Sequence, residues 1–251
     1  MCFKDKVVFI SGSSSGIGAA TAIEFTKAGA NVIINGINDT KLKSVYEKCI
    51  EYGKKPLMIS ADISKDEEAK RAIEETIKHF GTLDILVNNA GFSKCGSILD
   101  GNLLKSYDEV MATNLRGAMH LTELAAPYLI KTKGNIVNVS SVGGVAVPVL
   151  PQMISYCVSK AGLDHFTRCS ALELSKFGVR VNAVSPGPVA TDFRKNSGTE
   201  KLMADRKIHP ALDRVSEPIE IADVILFLAS DKAKGITGSN FVSDNGLLLK
   251  I

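Results

Sequence analysis

Short, continuous apolar runs alternate along the chain with longer amphipathic segments. Runs of this length, without regular polar alternation, are typical of strands buried on both faces, as in a parallel sheet. The pattern therefore predicts an α/β fold with an open, doubly wound parallel sheet of about seven strands and helices on both faces. The predicted strands are Val7–Ile10, Val32–Ile34, Leu57–Ile59, Ile85–Val87, Ile136–Val139, Val179–Val184 and Phe241–Val242.

Several amphipathic segments carry signals for helix ends. Ser64 and Glu67 have the spacing of a capping box, and Gly29, Gly53 and Gly178 stand where C-terminal helix glycines are expected. No Pro-, Gly- or Ser-rich linker divides the sequence, so we expect residues 1–251 to form one domain.

Composition narrows the class of protein. The 251 residues are 45% apolar and 23% charged, with a net charge of +3, which is typical of a soluble globular protein. No dense basic block suggests nucleic-acid binding, and no apolar run is long enough to span a membrane. The five cysteines form no CxxC pair and the four histidines are scattered. We therefore expect no metal site, and a reducing, cytoplasmic location.

The first predicted strand is followed by a glycine-rich segment, Ser11 to Gly18, and then by a helical pattern. Glycines in such a turn let the backbone approach a pyrophosphate, and a helix N-terminus offers it free N–H groups. The spacing is GxxxGxG rather than GxGxxG, so a tight turn that binds nothing is the alternative.

Gly12 to Gly16 also matches GxSxG, the nucleophile turn of α/β-hydrolases. That class needs a late histidine, here His209, and an acid before it, Asp192 or Asp205. It also takes an oxyanion N–H from a loop after an earlier strand, and no strand precedes this one, so the dinucleotide interpretation is favoured.

Tyr156 and Lys160 lie four residues apart in an apolar helical pattern, so both side chains project from one face. Together with the glycine loop, the pair resembles the short-chain dehydrogenase/reductase family, over nearly the whole chain. The further matching motifs, in the family's order, are Asp62-Ile63, Asn88-Asn89-Ala90-Gly91, Asn114, Ser140-Ser141 and Pro186-Gly187-Pro188-Val189-Ala190-Thr191.

The resemblance implies a Rossmann-type fold and hydride transfer between a nicotinamide cofactor and a carbonyl or alcohol. It implies catalytic roles for Asn114, Ser141, Tyr156 and Lys160. The cofactor-binding positions that it implies are Gly12, Ser14, Ser15, Gly16, Ile17, Gly18, Asn38, Asp62, Ile63, Asn89, Ala90, Gly91, Tyr156, Lys160, Pro186, Gly187, Val189 and Thr191.

By this resemblance Tyr156 exchanges the proton, Ser141 polarises the substrate oxygen and Asn114 holds a relay water. Lys160 binds the nicotinamide ribose and, with the oxidised cofactor, lowers the pKa of Tyr156 from its ordinary ~10. Two structural alternatives stay open: Asn114 satisfies helix backbone, and Asp62 merely begins the next helix.

The interval between Ser141 and Tyr156 is slightly longer than is usual in the family, which leaves open whether Ser140 or Ser141 faces the site. The apolar segment Val142–Met153 suggests a hydrophobic ketone or secondary alcohol, such as a steroid, retinoid, fatty-acyl or xenobiotic carbonyl. The expected substrate-binding loop, residues 190–214, is basic; it either attracts an anionic acyl carrier or is simply solvated.

Cofactor choice depends on the residues after the second strand. An NAD-preferring site needs an acid there for the ribose hydroxyls, but Gly36 takes that place and Ile37 follows it. Asn38 and Lys41 offer hydrogen bonds and charge to a 2′-phosphate, whereas Asp39 either opposes it or caps the next helix. We expect a modest preference for NADP(H), with NAD(H) usable.

We also expect a homotetramer or homodimer, since the helical segments Leu103–Lys131 and Tyr156–Phe177 have apolar residues on more than one face. The residues behind this expectation are Leu121, Leu124, Leu129, Cys157, Val158, Leu163, Phe166 and Leu172. A catalytically silent nucleotide-binding or scaffold protein of the same fold is the alternative function.

Overall fold

The computed structural model describes residues 2–148, 150–203 and 209–250. Its centre is a seven-stranded parallel sheet with the strand order β3-β2-β1-β4-β5-β6-β7. The strands are β1 Val7–Ile10, β2 Asn31–Gly36, β3 Leu57–Ser60, β4 Ile85–Asn88, β5 Asn135–Val139, β6 Arg180–Pro186 and β7 Asn240–Ser243. The predicted doubly wound parallel sheet is confirmed, and each predicted strand lies at its predicted place.

Helices connect successive strands. They are α1 Gly16–Lys27, α2 Asp39–Ile50, α3 Asp66–Phe80, α4 Leu103–Met111, α5 Ala118–Thr132, α6 Ile154–Ser175, α7 Phe193–Asn196, α8 Glu200–Met203 and α9 Pro218–Ala229. A π-helical segment, Ala112–Gly117, joins α4 to α5, and short 3₁₀-helices occupy Val142–Gly144, Asp231–Ala233 and Leu247–Leu249.

The sheet is covered on both faces, as its apolar strands require. In β1, Val8 and Ile10 pack in the core that includes residues of α1, α2 and α9, while Val7 and Phe9 pack in the core that includes residues of α3, α5 and α6. This alternation follows from the two-residue period of a strand. All four β1 side chains are buried, which explains their uninterrupted apolar run.

β1 pairs in parallel with β2 on one side and with β4 on the other. The chain passes from β1 to β2 on one side of β1, and later from β3 back to β4 on the other side. The carboxyl ends of β1 and β4 therefore form the topological switch point, where ligands bind in such folds. The glycine loop and the Asn88–Gly91 segment both begin there.

Three of the predicted helix-end glycines, Gly29, Gly53 and Gly178, have the positive φ of helix terminators. The predicted capping box before α3 is wrong. The N-cap is Lys65, which makes no side-chain bond to the helix. The Ser64 N–H and hydroxyl instead donate to Asp62 Oδ1, at 3.0 and 2.7 Å.

Among the helices of the described residues, none combines the length and the apolar character needed to cross a membrane.

Candidate active site

Ser141 and Tyr156 meet beyond the carboxyl end of β5. Ser141 precedes the 3₁₀-helix, and its hydroxyl oxygen accepts a bond from the Gly143 N–H at 3.1 Å. A Cβ on Gly143 would lie 3.5 Å from the Ser141 hydroxyl oxygen and 3.3 Å from Cε1 of the Tyr156 ring, so the two side chains flank the same turn. Two neighbouring hydroxyls can both reach one substrate oxygen, which is what carbonyl polarisation and proton transfer require.

The longer interval between Ser141 and Tyr156 does not move the serine out of the site. Ser140 is the residue that points inward: it is buried, and its hydroxyl donates to the Lys160 carbonyl at 3.3 Å. Ser141 faces Tyr156, so of the two serines left open by the sequence, the second lies in the site.

Lys160 lies one helical turn after Tyr156 and is only 4% exposed. Its ammonium donates to the Val139 carbonyl at 2.7 Å and lies 5.8 Å from the centroid of the Tyr156 ring. Burial lowers the pKa of Lys160 to about 8, against the opposing charge of Asp164.

The pKa of Tyr156 differs from the expectation. Burial of the phenol raises it to about 12, and the nearby Ser141 hydroxyl offsets only part of that rise. The Lys160 ammonium, 5.8 Å from the ring centroid, does not overcome the effect of burial. The protein's own groups therefore keep the phenol protonated at neutral pH, and the expected lowering, which included the charge of the oxidised nicotinamide, stays a prediction.

Asn114 lies within the π-helical segment, and its side chain is fully occupied. Its Oδ1 accepts from the Phe92 N–H at 3.0 Å, while its Nδ2 donates to the Phe92 carbonyl at 2.9 Å and to the Ser159 hydroxyl at 3.1 Å. The amide thus fastens the loop after β4 to α6. The partners are loop backbone and a helix hydroxyl rather than backbone of its own helix, which differs from both sequence interpretations.

Gly91 shows how tightly these groups converge. A Cβ on Gly91 would lie 3.2 Å from Asn114 Oδ1 and 3.5 Å from Lys160 Nζ. Asn114 and Lys160 thus approach each other at Gly91, and Lys160 lies next to the Tyr156 ring. With Ser141 beside Tyr156, the four predicted catalytic residues lie together.

The glycine loop forms a cradle that side chains would fill. A Cβ on Gly12 would lie 2.6 Å from the Ala90 Cα, and one on Gly18 would lie 2.4 Å from the Asn89 Nδ2. Gly12 and Gly16 also have positive φ. Asn89 clamps the loop: its Nδ2 donates to the carbonyls of Ser11 and Gly12, at 2.9 and 3.0 Å.

The N-terminus of α1 is open to an anion. Its N-cap residue, Ser15, makes no side-chain bond to the helix, and the first turn, which contains Ile17, carries no acid. Free N–H groups beside a glycine cradle fit the pyrophosphate of a dinucleotide. Ser11, which the sequence analysis did not select, supports this loop by accepting the N–H groups of Asn89 and Ala90.

The turn after β2 differs from the expectation in two respects. Asn38, predicted to contact the cofactor, is the N-cap of α2, and its Oδ1 accepts from the Lys41 N–H at 2.9 Å. Asp39 therefore is not the cap. Lys41 Nζ donates to Asp192 Oδ2 at 2.8 Å, so the predicted phosphate partner already has a counterion from the loop after β6.

Asp62 and Ile63 lie at the end of β3. The Asp62 carboxylate is bound to Ser64, and Ile63 is buried within 2.9 Å of the place a Cβ on Gly117 would take. Asp62 thus organises the start of α3, as the structural alternative held. Its side chain is half-buried, and its predicted contact with the cofactor stays a prediction.

The loop after β6 closes the site from the opposite side. A Cβ on Gly187 would lie 2.8 Å from the Asp244 Cα, and one on Gly16 would lie 3.1 Å from the Thr191 methyl group. Val189 bridges to Ser216, and Pro186 is the last residue of β6. Thr191 therefore contacts the glycine loop directly.

Phe193, which the sequence analysis missed, lies over the catalytic tyrosine. Its ring centroid is 5.4 Å from that of Tyr156. The neighbouring Ser197 hydroxyl accepts from the Ser93 N–H at 3.0 Å, which fastens the segment Phe193–Asn196 to the loop after β4. A phenylalanine in a basic loop gave no chemical signal, because its role depends only on packing. Residues 204–208 of the predicted substrate loop lie outside the described residues.

The hydrolase alternative receives no support from the geometry. Asp192 pairs with Lys41, and His209 Nδ1 lies 3.5 Å from Asp213 on the exposed surface. Asp205 lies outside the described residues.

Known proteins resemble the chain over nearly its full length. A family model described as enoyl-(acyl carrier protein) reductase matches residues 12–248. A 3-oxoacyl-[acyl-carrier-protein] reductase from Thermotoga maritima is 36% identical, across 99% of this chain and 100% of that protein. A glucose 1-dehydrogenase from Gluconobacter oxydans is 37% identical, across 98% of this chain and 93% of that protein.

Among solved structures, a short-chain dehydrogenase/reductase of unknown function from Caenorhabditis elegans, crystallised with cofactor, superposes with a TM-score of 0.90. It is 35% identical and covers 98% of this chain and 96% of that chain. The similarity thus extends over nearly the whole chain.

Proposed function

The chain belongs to the short-chain dehydrogenase/reductase family and is an NAD(P)-dependent oxidoreductase acting on a small molecule, and from that premise we propose that it interconverts a hydrophobic ketone and its secondary alcohol, with NADP(H) preferred. The observation that carries this proposal is the Ser141–Tyr156 hydroxyl pair, with the Lys160 ammonium buried one helical turn further on.

The protein's own residues account for the proton chemistry. In the direction of reduction, Tyr156 donates a proton to the substrate oxygen, and Ser141 donates a hydrogen bond to the same oxygen. The raised pKa of Tyr156 suits this direction, because the phenol stays protonated over the whole neutral range. In oxidation the phenolate must form first, which is the more demanding step here.

The bound nicotinamide supplies the hydride in reduction and accepts it in oxidation. The glycine cradle of Gly12, Gly16 and Gly18 and the open end of α1 would hold the pyrophosphate. The Lys160 ammonium, which lies near both the Tyr156 ring and Gly91, would bind the nicotinamide ribose. Asn114 holds the Phe92 backbone with its amide and so positions the loop after β4, while its part in holding a relay water stays a prediction.

The surroundings support an apolar substrate. Phe193 covers the Tyr156 ring, and in the segment after Ser141, Val145 is exposed and Val147 is 87% exposed. Exposed valines so close to the catalytic serine offer apolar surface to a ligand. Val149 of the same segment lies outside the described residues. We therefore propose a ketone on an apolar chain or ring, such as a steroid, retinoid, fatty-acyl or xenobiotic carbonyl.

A cofactor comparison tests this function. We expect the purified protein to oxidise NADPH in the presence of such ketones, with kcat/KM modestly higher for NADPH than for NADH. The reason is that Gly36 supplies no carboxylate to repel a 2′-phosphate, while Lys41 supplies a charge that can leave Asp192. Absorbance at the reduced-cofactor band measures both rates.

Gly36→Asp should reverse the ratio of the two kcat/KM values toward NADH by about tenfold, since bonds to a charged group contribute about 1.5–3 kcal/mol. Its Cβ would lie 3.2 Å from Ser14, so the absolute rates should also fall, and the ratio is the quantity to compare. A clear NADH preference in the unaltered protein would contradict the cofactor proposal. Cofactor binding without turnover of any carbonyl would favour the silent nucleotide-binding protein.

The same fold supports association into a homodimer or homotetramer. A groove of about 740 Å³ lies between α6 and the α4–α5 region, with Met111, Leu115, Met119 and Phe166 in its lining. The exposed surface of α6 adds Val158 and Leu172, the latter 80% exposed. Apolar surface of this kind on two neighbouring helices is typical of an interface.

Some of the residues from which the sequence predicted an oligomer do not contribute to this surface. Leu121, Leu129 and Leu163 are buried in the domain's own core, because one face of each helix packs on the sheet. Leu124 is half-buried against that core, and Cys157 is half-buried near Gly143. The argument for association depends instead on the groove and on Leu172.

We expect light scattering at micromolar concentration to give the mass of a dimer or tetramer, and Leu172→Glu to shift the mass toward the monomer because it buries a charge in the interface. Ile50→Glu, a matched change on the surface of α2, should leave the mass unchanged. A monomer in the unaltered protein would refute the proposed association.

The free thiols of all five cysteines agree with a reducing compartment, and we propose the cytoplasm.

A further inference from the structure

Asp164 is a buried carboxylate for which the mechanism above has no role. It lies on α6, one helical turn after Lys160, and is 6% exposed. Its Oδ1 has no hydrogen-bond partner. A buried carboxylate is costly unless nearby charges or hydrogen bonds compensate it, so its position beside the active site calls for a reason.

The Asp164 side chain packs beneath the turn that carries the catalytic serine. A Cβ on Gly144 would lie 2.7 Å from Asp164 Oδ2 and 3.0 Å from the Lys160 carbonyl carbon, so the turn rests directly on α6 at this point. Ser140, which precedes Ser141, donates its hydroxyl to the Lys160 carbonyl at 3.3 Å, and the same hydroxyl lowers the pKa of Asp164. Asp164 therefore lies against the turn after β5 and on the helix that carries Tyr156 and Lys160.

The charges around Lys160 leave Asp164 as its counterion. On α6 the groups that face Lys160 are Tyr156 and Asp164. From β5 it receives the neutral Val139 carbonyl, and from the loop after β4 the neutral Gly91 backbone beside the amide of Asn114.

The charges around Asp164 are equally few. Burial raises the pKa of Asp164, while the Ser140 hydroxyl, which follows β5, and the charges of Lys160 and Arg168 on its own helix lower it. Since the Lys160 ammonium bonds to Val139, the two charges interact through space across the helix face rather than by a direct bond.

We propose that Asp164 is a positioning residue of the active site, which keeps Lys160 in its charged form and holds the Ser140–Gly144 turn against α6. The inference depends on the roles proposed above for Tyr156 and Lys160. It assigns to Asp164 no contact with substrate or cofactor, since the carboxylate acts only through its two neighbours.

The consequence is a defined pH dependence. Burial lowers the pKa of Lys160 to about 8, and the charge of Asp164 opposes that effect. If Lys160 must be protonated, activity is present below this pKa and is lost as the pH rises through it. Tyr156 loses its proton only near pH 12, so the descending limb between pH 7 and 10 belongs to Lys160. Without the Asp164 charge, that limb moves to lower pH.

The test is the pH profile of kcat/KM for NADPH, which reports groups of the free enzyme. In Asp164→Asn we expect the basic limb of the profile to move to lower pH by about one unit. The value of kcat/KM should then fall about tenfold on the alkaline side of the limb and change little at pH 6. The dissociation constant of NADPH, followed by its fluorescence, should show the same shift without any turnover. Asp223→Asn, the same exchange on the exposed side of α9, should leave both profiles unchanged.

Ser140→Ala provides a second variant, because it removes a hydroxyl that lowers the pKa of Asp164 but keeps the carboxylate itself. It should move the limb in the same direction by less than Asp164→Asn does. Unshifted profiles in a folded Asp164→Asn protein, or in Ser140→Ala if the first variant does not fold, would overturn the inference. Full activity in Tyr156→Phe would overturn the proposed function instead, so the two failures are distinguishable.

Discussion

Replacing Tyr156 by phenylalanine is expected to lower kcat by about 10²–10⁴-fold, the range that general acid–base catalysis contributes, while the dissociation constant of NADPH stays within about twofold. The exchange removes only the hydroxyl. The ring keeps its contact with Phe193, and Lys160 keeps its bond to the Val139 carbonyl. Steady-state rates and fluorescence titration of NADPH measure the two quantities.

The matched control is Tyr128→Phe on α5, a tyrosine whose ring lies under Lys131 and away from the site. It should keep the turnover of the unaltered protein. Near-normal turnover in Tyr156→Phe would mean that another group supplies the proton, and the mechanism proposed here would be wrong.

Replacing Lys160 by alanine is expected to damage both kcat and cofactor affinity, because the ammonium serves two partners. We expect the dissociation constant of NADPH to rise about 10- to 100-fold, the size of a lost bond to a charged group. Turnover should fall as well, since the charge that favours the phenolate is gone. Stopped-flow binding and steady-state rates separate the two effects.

Lys160→Ala also leaves the buried Val139 carbonyl without its donor, which should cost about 1–3 kcal/mol of unfolding free energy. The thermal unfolding of the variant should therefore be measured together with its kinetics. Lys160→Met, which fills the same space without charge, serves as the control for packing. A change in only one of kcat and affinity would contradict the dual role of Lys160.

The strands could be predicted from the sequence because burial on both faces leaves uninterrupted apolar runs. Their ends could not, since the hydrogen-bond ladder continues into polar or small residues: β6 extends to Pro186 and β7 includes Asn240 and Ser243. The apolar pattern records which side chains are buried, whereas a strand is defined by its backbone.

The candidate catalytic residues could be selected because their types and order are specific, but their electrostatics could not be predicted. The pKa of Tyr156 depends on how deeply the phenol lies and on where the Lys160 ammonium points, and spacing four residues apart determines neither. The contact of Phe193 with Tyr156 likewise arises from packing between distant segments.

Polar residues at helix starts allow two interpretations. Asn38 and Asp62 each have side chains suited to a ligand, and in the structure each also bonds to the backbone or hydroxyl of the neighbouring turn, so their predicted cofactor contacts stay predictions. Capping and ligand binding draw on the same residue types, so the sequence alone does not separate them.

The central claim is that the Ser141–Tyr156–Lys160 site reduces a carbonyl with a nicotinamide hydride. The most direct measurement is deuterium transfer to an apolar ketone from NADPH that carries deuterium at both nicotinamide C4 positions, followed by mass spectrometry of the alcohol. The account predicts one deuterium on the carbinol carbon with the unaltered protein and none above background with Tyr156→Phe. Equal deuterium incorporation by both proteins, or an alcohol without deuterium, would contradict it.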